Sequence, residues 1–263
     1  MRLVAAIGVL FGLVFPAFAQ DAGLKSLQTG NDSRGWEAVG RLNLGDRGFC
    51  TGSLIADDLV LTAAHCLFDK ETGASIDPTT IEFLAGWRNG RAAAYRSVTK
   101  AVAHPEYVYG GHENIDRVPY DIAVLRLDQP IRLPSILPFE TNDQPKQGDQ
   151  VEVVSYAQDR SEVPSLQQLC HVLENRNGIV IFSCDVDFGS SGAPVFSMRD
   201  GRLQIVSVVS AKAELAGRKV ALGMPLTGPL DLLLKKMAEG GSKLSPKNVR
   251  VLSGGSGGKF IKP

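Results

Sequence analysis

Short apolar runs separated by turn residues recur along most of this chain, and they limit what it can fold into. Many runs of about four to eight residues at close spacing favour an all-β barrel or sandwich over alternating strands and helices. The runs predicted as strands are 38–42, 50–55, 59–62, 81–86, 95–98, 121–127, 150–156, 178–184, 193–198 and 203–210. A helical pattern at 226–237, with Leu230, Leu233, Leu234 and Met237 on one face, predicts one C-terminal helix.

The two ends of the chain predict segments outside the folded body. A basic start, an apolar run and small residues at a cleavage site indicate a signal peptide over residues 1–19, too short to span a bilayer. Residues 20–35 are polar and are predicted to be a flexible lead-in, and the Gly-, Ser- and Lys-rich residues 240–263 a disordered tail. Residues 36–239 remain as one unit able to bury a sizeable core.

Charge and cysteine content narrow the class of protein. Basic and acidic residues balance at 28 each, and the sequence has no basic stripe. Charge therefore does not indicate a surface that binds nucleic acid. Four cysteines in an exported chain indicate two disulfides, in any of three connectivities that the sequence alone does not separate. Zinc is a weak alternative, because no two cysteines are close enough for a zinc knuckle.

Three segments carry residue types that suit a serine nucleophile: Leu61-Thr62-Ala63-Ala64-His65-Cys66, Tyr120-Asp121-Ile122-Ala123-Val124-Leu125 and Gly189-Ser190-Ser191-Gly192-Ala193-Pro194. Serine is a poor nucleophile at neutral pH. It needs an imidazole to take its proton and a carboxylate to hold that imidazole. We therefore predict His65 as the base, Asp121 as the orienting carboxylate and Ser191 as the nucleophile. Asp116 and Ser190 are their weaker rivals.

These motifs and their chain order resemble those of trypsin/chymotrypsin-type serine proteases. The segment Phe49-Cys50-Thr51-Gly52-Ser53-Leu54-Ile55 adds to the resemblance, which spans about residues 36–234. Ser190, before the predicted nucleophile, makes the chain similar to the bacterial, glutamyl-endopeptidase-like branch. The resemblance implies two antiparallel six-stranded β-barrels, with the catalytic residues in the cleft between them and a C-terminal helix packed on the side.

The same resemblance implies roles for further residues. The spacings of Cys50–Cys66 and of Cys170–Cys184 match two disulfides of the family. The backbone N–H groups of Gly189 and Ser191 would form the oxyanion hole, which binds negative charge developing in the transition state. Ser207 would contact the triad aspartate, on a strand that pairs with the substrate backbone.

The specificity pocket is predicted least clearly. Asp185 lies six residues before Ser191, the offset of an arginine/lysine-selective pocket in trypsin-like relatives. The loop between Cys184 and Ser191 is shorter than in trypsin and lacks a family cysteine, so a surface or turn role for Asp185 is at least as good an interpretation. The strand of Ser207 lacks the histidine usual in the glutamyl-specific branch, so acidic specificity is not supported either.

Together these features predict a secreted or periplasmic serine endopeptidase. We expect a monomer that acts on protein or peptide substrates, without metal or organic cofactor, nucleic acid, or a membrane anchor after signal removal. Two alternatives remain open: a catalytically silent binding protein on the same fold, and an esterase that uses the same triad. The silent protein is the weaker alternative, because His65, Asp121 and Ser191 are all present.

Overall fold

The protein is described from a computed structural model that covers residues 23–110, 115–142 and 145–239. The predicted signal peptide at 1–19 and the predicted tail at 240–263 lie outside the described residues. Within the part of the chain that is described, no helix is long and apolar enough to cross a membrane.

The described residues form fourteen β-strands and one α-helix, in agreement with the predicted all-β class. The elements are β1 (Lys25–Ser26), β2 (Val39–Asn43), β3 (Phe49–Ala56), β4 (Leu59–Thr62), β5 (Glu82–Ala85), β6 (Ala94–Ala103), β7 (Ala123–Leu127), β8 (Glu140–Thr141), β9 (Gln150–Ala157), β10 (Arg160–Arg176), β11 (Ile179–Phe182), β12 (Pro194–Arg199), β13 (Arg202–Leu215), β14 (Arg218–Pro225) and α1 (Pro229–Ala238).

The first six-stranded barrel is closed, with strand order β2-β3-β4-β7-β6-β5 and antiparallel pairing throughout. Its interior holds fully buried side chains such as Leu42, Leu54, Leu61 and Phe83. Burial of these side chains removes apolar surface from water, which is the main favourable term in folding. The barrel provides a rigid base for the residues at the ends of β4 and β7.

The second sheet has the order β10-β11-β14-β13-β12-β9, and pairing of β9 with β10 joins its two ends in a ring. These six strands are antiparallel to their neighbours. Two short strands extend the sheet: β1 pairs with β10, and β8 lies parallel to β13. The prediction of two six-stranded antiparallel barrels is confirmed.

Helix α1 leaves the second barrel and packs against β6 and β7 of the first. Leu230, Leu233 and Met237 are its buried residues, as the helical pattern predicts. The Lys100 ammonium donates to the carbonyls of Lys236 and Met237 at 3.2 and 2.8 Å. A cation at the C-terminus of a helix satisfies carbonyls that have no partner inside the helix.

The described part of the lead-in, residues 23–35, differs from the flexible segment expected from its composition. Lys25–Ser26 forms β1 on the edge of β10, and Leu27 behind it is fully buried. The Leu27 N–H donates to the carbonyl of Pro164 at 2.9 Å, which continues the pairing. One buried leucine and a short run of backbone hydrogen bonds outweigh the polar character of the other residues.

Both predicted disulfides are present. Cys50 and Cys66 are bonded with a Cα–Cα distance of 6.3 Å, and Cys170 and Cys184 with a Cα–Cα distance of 5.1 Å. The first bond joins β3 to the segment that follows β4. The second joins β10 to the segment after β11, so each barrel has one internal cross-link.

Candidate active site

His65 lies in the 3₁₀ turn Ala64–Leu67, directly after β4. Small residues precede it, Ala63 and Ala64, and both are fully buried. Cys66 follows it and is bonded to Cys50 of β3. The imidazole is therefore carried by a short turn that is covalently joined to the barrel, and only 3% of the residue is exposed to solvent.

Asp121 is fully buried between the 3₁₀ turn Ile115–Tyr120 and β7. One of its carboxylate oxygens accepts the backbone N–H of His65 at 2.8 Å. The other lies 2.6 Å from His65 Nδ1 and also accepts the Ser210 hydroxyl. Asp116, its predicted rival, is exposed. The carboxylate beside the imidazole thus belongs to Asp121.

The charge of Asp121 follows from these contacts. Burial acts to raise the pKa of this carboxyl, but the His65 imidazole, the Arg117 guanidinium and the hydrogen bonds outweigh it and lower the pKa to about 2. The carboxylate is therefore ionised near neutral pH and can only accept hydrogen bonds. His65 Nδ1 must carry the proton of their shared bond, so Nε2 is left to accept one.

The hydroxyl that meets Asp121 is that of Ser210, not that of Ser207. Ser207 was expected to make this contact, but its hydroxyl donates to the Met224 carbonyl at 2.8 Å in the pairing of β13 with β14. Val209 pairs with Gly223 and Ala211 with Leu222, which leaves Ser210 without a residue opposite it. Ser210 sits in this β-bulge, and a bulge turns a side chain away from the regular alternation.

The turn before β12 presents Ser191 and needs glycine on both sides. Gly189 has a φ of +97°, and a Cβ there would lie 2.4 Å from the Phe49 ring. Gly192 has a φ of +78°, and its Cβ would lie 2.1 Å from Thr62 Oγ1. Both positions combine a left-handed backbone with a close approach of the first barrel, so only glycine fits without strain.

Ser190 differs in environment from its neighbour Ser191. It is fully buried, and its hydroxyl donates to the Tyr156 carbonyl at 3.1 Å and contacts the Ser155 hydroxyl at 3.2 Å. The guanidinium of Arg160 approaches it at 3.4 Å and donates to the Ser155 carbonyl at 2.6 Å. Ser190 thus holds the turn against β9 and β10 through Ser155, Tyr156 and Arg160. The sequence did not indicate this role for Ser155 or Arg160.

His65, Gly189 and Ser191 line one cleft between the barrels. Its other walls include the Phe49 and Phe68 rings, beside the Cys50–Cys66 disulfide. The structure therefore brings the predicted base, the predicted nucleophile and a predicted oxyanion donor to the same cleft from distant parts of the chain.

The predicted specificity residue Asp185 lies at the surface. About half of its side chain is exposed, and the ammonium of Lys219 on β14 lies 3.9 Å from its carboxylate. Asp187, two residues further along, pairs with Lys212 at 2.6 Å, and the same ammonium lies 4.5 Å from the centre of the Phe188 ring. Because both carboxylates already pair with lysines of this protein, the structure does not favour a pocket in which Asp185 selects arginine or lysine side chains of a substrate.

The described residues contain one group of three side chains with metal-ligating atoms close together, Cys50, His65 and Cys66. The two sulfur atoms are bonded to each other. A disulfide sulfur is not a thiolate, and the thiolate is the form of cysteine that binds metals. This group is therefore better described as the disulfide that supports His65.

Two β-barrels with a histidine–carboxylate pair and a glycine-framed serine at their junction define a chymotrypsin-like class of fold and site. Residues 50–204 match the family model described as "Trypsin-like peptidase domain", which is more than half of the chain. The chain belongs to the trypsin-like peptidase domain family.

Three curated relatives are similar over part of their length. A glutamyl endopeptidase of Bacillus licheniformis is 26% identical over 59% of this chain and 47% of its own. A modular serine protease of Drosophila melanogaster is 31% identical over 34% of this chain and 14% of its own. Coagulation factor IX of Cavia porcellus is 30% identical over 38% of this chain and 32% of its own. The chain thus spans less than half the length of each relative.

A solved structure, titled as a Glu endopeptidase in complex with MPD, matches with a TM-score of 0.68 at 17% identity. The match covers 84% of this chain and 99% of that one. At this identity it shows a shared fold, which agrees with the two barrels described above.

Proposed function

We propose that the protein is an exported serine endopeptidase that cleaves peptide bonds through an acyl-enzyme on Ser191. The observation that carries this proposal is the buried His65–Asp121 pair, which opens into the same cleft as Ser191. Family membership and the peptidase relatives support the reaction class. Two disulfides support export, because such bonds persist in oxidising compartments outside the cytosol.

In the first half of the reaction, the Ser191 hydroxyl attacks the carbonyl carbon of the scissile peptide bond. Its proton passes to Nε2 of His65, while Nδ1 keeps its proton on the bond to Asp121. The ionised carboxylate stabilises the imidazolium that forms. The carbonyl oxygen gains negative charge and is bound by the N–H groups of Gly189 and Ser191, a contact typically worth about 2.7–4 kcal/mol per donor.

The tetrahedral intermediate then collapses. The bond from carbon to nitrogen breaks, the proton on His65 Nε2 goes to the leaving amine, and an ester remains on Ser191. In the second half a water molecule loses a proton to His65 and attacks this ester. The acid product leaves, and the proton returns to Ser191, so the protein is unchanged overall.

Labelling with a fluorophosphonate probe, followed by peptide mapping of the adduct, tests this proposal. We expect one adduct, on Ser191, and loss of both labelling and peptide hydrolysis in Ser191→Ala with its melting temperature retained. Ser97→Ala serves as the matched control, because Ser97 is exposed on β6 of the first barrel.

Each alternative gives a different outcome. An adduct on Ser190 would contradict the choice of nucleophile. Absence of both labelling and hydrolysis would favour the catalytically silent protein, and hydrolysis of esters but of no peptide would favour the esterase.

A further inference from the structure

Thr51, a residue outside the candidate triad, holds the turn that carries Ser191 against the first barrel. It lies in β3 and is fully buried. Its backbone N–H donates to the Ser191 carbonyl at 2.8 Å. Its hydroxyl donates to the Gly189 carbonyl at 2.9 Å and accepts the Tyr156 N–H at 3.1 Å. One side chain therefore connects β3, the end of β9 and the turn before the nucleophile.

Gly189 depends on an external contact to fix its conformation. Its φ of +97° and the nearby Phe49 ring exclude any larger residue there. Glycine has no side chain to restrict its backbone, so the orientation of its carbonyl has to be set from outside. The Thr51 hydroxyl donates to this carbonyl, which belongs to the peptide between Gly189 and Ser190. That peptide lies in the chain between the N–H of Gly189 and the N–H of Ser191.

We propose that the Thr51 hydroxyl is a positioning group for the oxyanion hole. The inference rests on the proposed function, since the two N–H donors matter only if charge develops on a substrate carbonyl between them. Thr51 also follows Cys50, which is bonded to the segment of His65. The hydroxyl therefore places the N–H groups of Gly189 and Ser191, in the second barrel, relative to His65 in the first.

The chemistry of the site requires a group that donates and accepts at once. The Gly189 carbonyl needs a donor and the Tyr156 N–H needs an acceptor, and a hydroxyl provides both. Valine has nearly the shape of threonine and provides neither. Thr51→Val keeps the backbone bond to Ser191 and removes only the two side-chain bonds, whereas Thr51→Ser keeps the hydroxyl.

The experiment compares Thr51→Val, Thr51→Ser and the wild type on a peptide substrate, with melting temperatures measured in parallel. Because small misplacements at a reacting centre cost large factors in rate, we expect Thr51→Val to lower kcat by about 10- to 100-fold while KM changes little. We expect Thr51→Ser to restore most of kcat. The affinity for a peptide aldehyde, which forms a tetrahedral adduct, should fall in Thr51→Val in parallel with kcat. Thr99→Val is the matched control, because its hydroxyl also donates to a backbone carbonyl, that of Arg126, but at the surface.

The outcomes separate this inference from the proposed function. If the wild type hydrolyses peptides, Ser191→Ala does not, and Thr51→Val has the kcat of the wild type, the positioning role is wrong and the proposed function stands. If KM rises while kcat is retained, Thr51 serves substrate binding and the inference is also wrong. If Thr51→Val fails to fold, the serine variant decides, because it keeps the hydroxyl. A folded Thr51→Ser protein with a kcat 10- to 100-fold below the wild type would then overturn the positioning role. A wild type without activity would overturn the proposed function itself.

Discussion

Replacing Asp121 by asparagine should disable the base while leaving its shape in place. Three donors converge on the two carboxylate oxygens: the His65 N–H, His65 Nδ1 and the Ser210 hydroxyl. Asparagine has one oxygen and one NH₂ group, so at least one donor must face another donor. If the amide oxygen keeps the backbone N–H, the NH₂ faces Nδ1. The imidazole then moves its proton to Nε2 and can no longer accept one from Ser191.

The expected loss is large. Changing a triad carboxylate to an amide costs about 10⁴-fold in kcat, which corresponds to about 5 kcal/mol in the activation barrier. Steady-state hydrolysis of a peptide by purified Asp121→Asn measures it. Asp116→Asn is the matched control, an equally conservative change at an exposed carboxylate five residues away, and we expect wild-type kcat there. A kcat for Asp121→Asn within tenfold of the wild type would refute the orienting role.

The same variant tests the charge of Asp121 through acid stability. The pKa of its carboxyl falls from 3.8 to about 2 in the folded protein, so the ionised group contributes about 2 kcal/mol of stability. Because the folded pKa is the lower one, this contribution is complete above about pH 5 and is lost progressively as the pH falls through 3.8 towards 2. Urea unfolding at pH 5 and at pH 2.5 should show the gap between wild type and Asp121→Asn shrinking in acid. A gap that is independent of pH would contradict the lowered pKa.

Two further predictions concern residues around the pair. Ser210→Ala should lower kcat by about tenfold, because it removes a hydrogen bond to a charged oxygen, while Ser207→Ala should stay near the wild type. Equal losses in steady-state assays of the two would contradict the assignment to Ser210. Replacing Cys50 and Cys66 together by serine should lower the free energy of unfolding by about 3 kcal/mol, and an unchanged urea midpoint would count against this cross-link as a stabiliser.

The strands that the sequence predicts well are those with continuous or alternating apolar residues. The prediction for 59–62 coincides with β4, and that for 150–156 falls one residue short of β9. Local pattern suffices there because each strand buries a regular set of side chains. The helix is also predicted within three residues at its start and one at its end.

The longest strand, β10, has no such pattern and was not predicted. Its middle contains Pro164 and consecutive glutamines, and Leu169 has a φ of +62°. The register with β9 shifts twice along this strand, so the alternation of buried and exposed residues is interrupted. Pairing with its chain neighbours β9 and β11, and with the distant β1, stabilises it. Tertiary pairing overrides local propensity in such a strand.

The residues of the proposed triad are predictable because each lies in a segment typical of its chemistry, whereas the residues that hold them in place are not. His65 and Asp121 are separated by 56 residues, yet each lies in a segment whose residue types suit its role. Thr51 and Arg160 carry no such signature. The threonine gains its role only from the Gly189 carbonyl across the barrel junction, and the arginine from the Ser155 carbonyl on the neighbouring strand of its own barrel.

The choice between Ser207 and Ser210 shows which part of the site depends on geometry alone. In a regular strand, two residues three apart point to opposite faces of the sheet. The Ser207 hydroxyl donates to the Met224 carbonyl of β14, but the register shift between Val209 and Ala211 interrupts the alternation, so the direction of Ser210 does not follow from its distance to Ser207. The bulge between Val209 and Ala211 then bends the strand at Ser210 and directs its hydroxyl to Asp121. Strand bulges occur frequently beside active sites, where they re-aim one side chain, and composition does not reveal where the extra residue falls. Deleting one residue at Val209 would remove the bulge, and by this reasoning it should cost more activity than Ser210→Ala, because it displaces the whole strand beside Asp121.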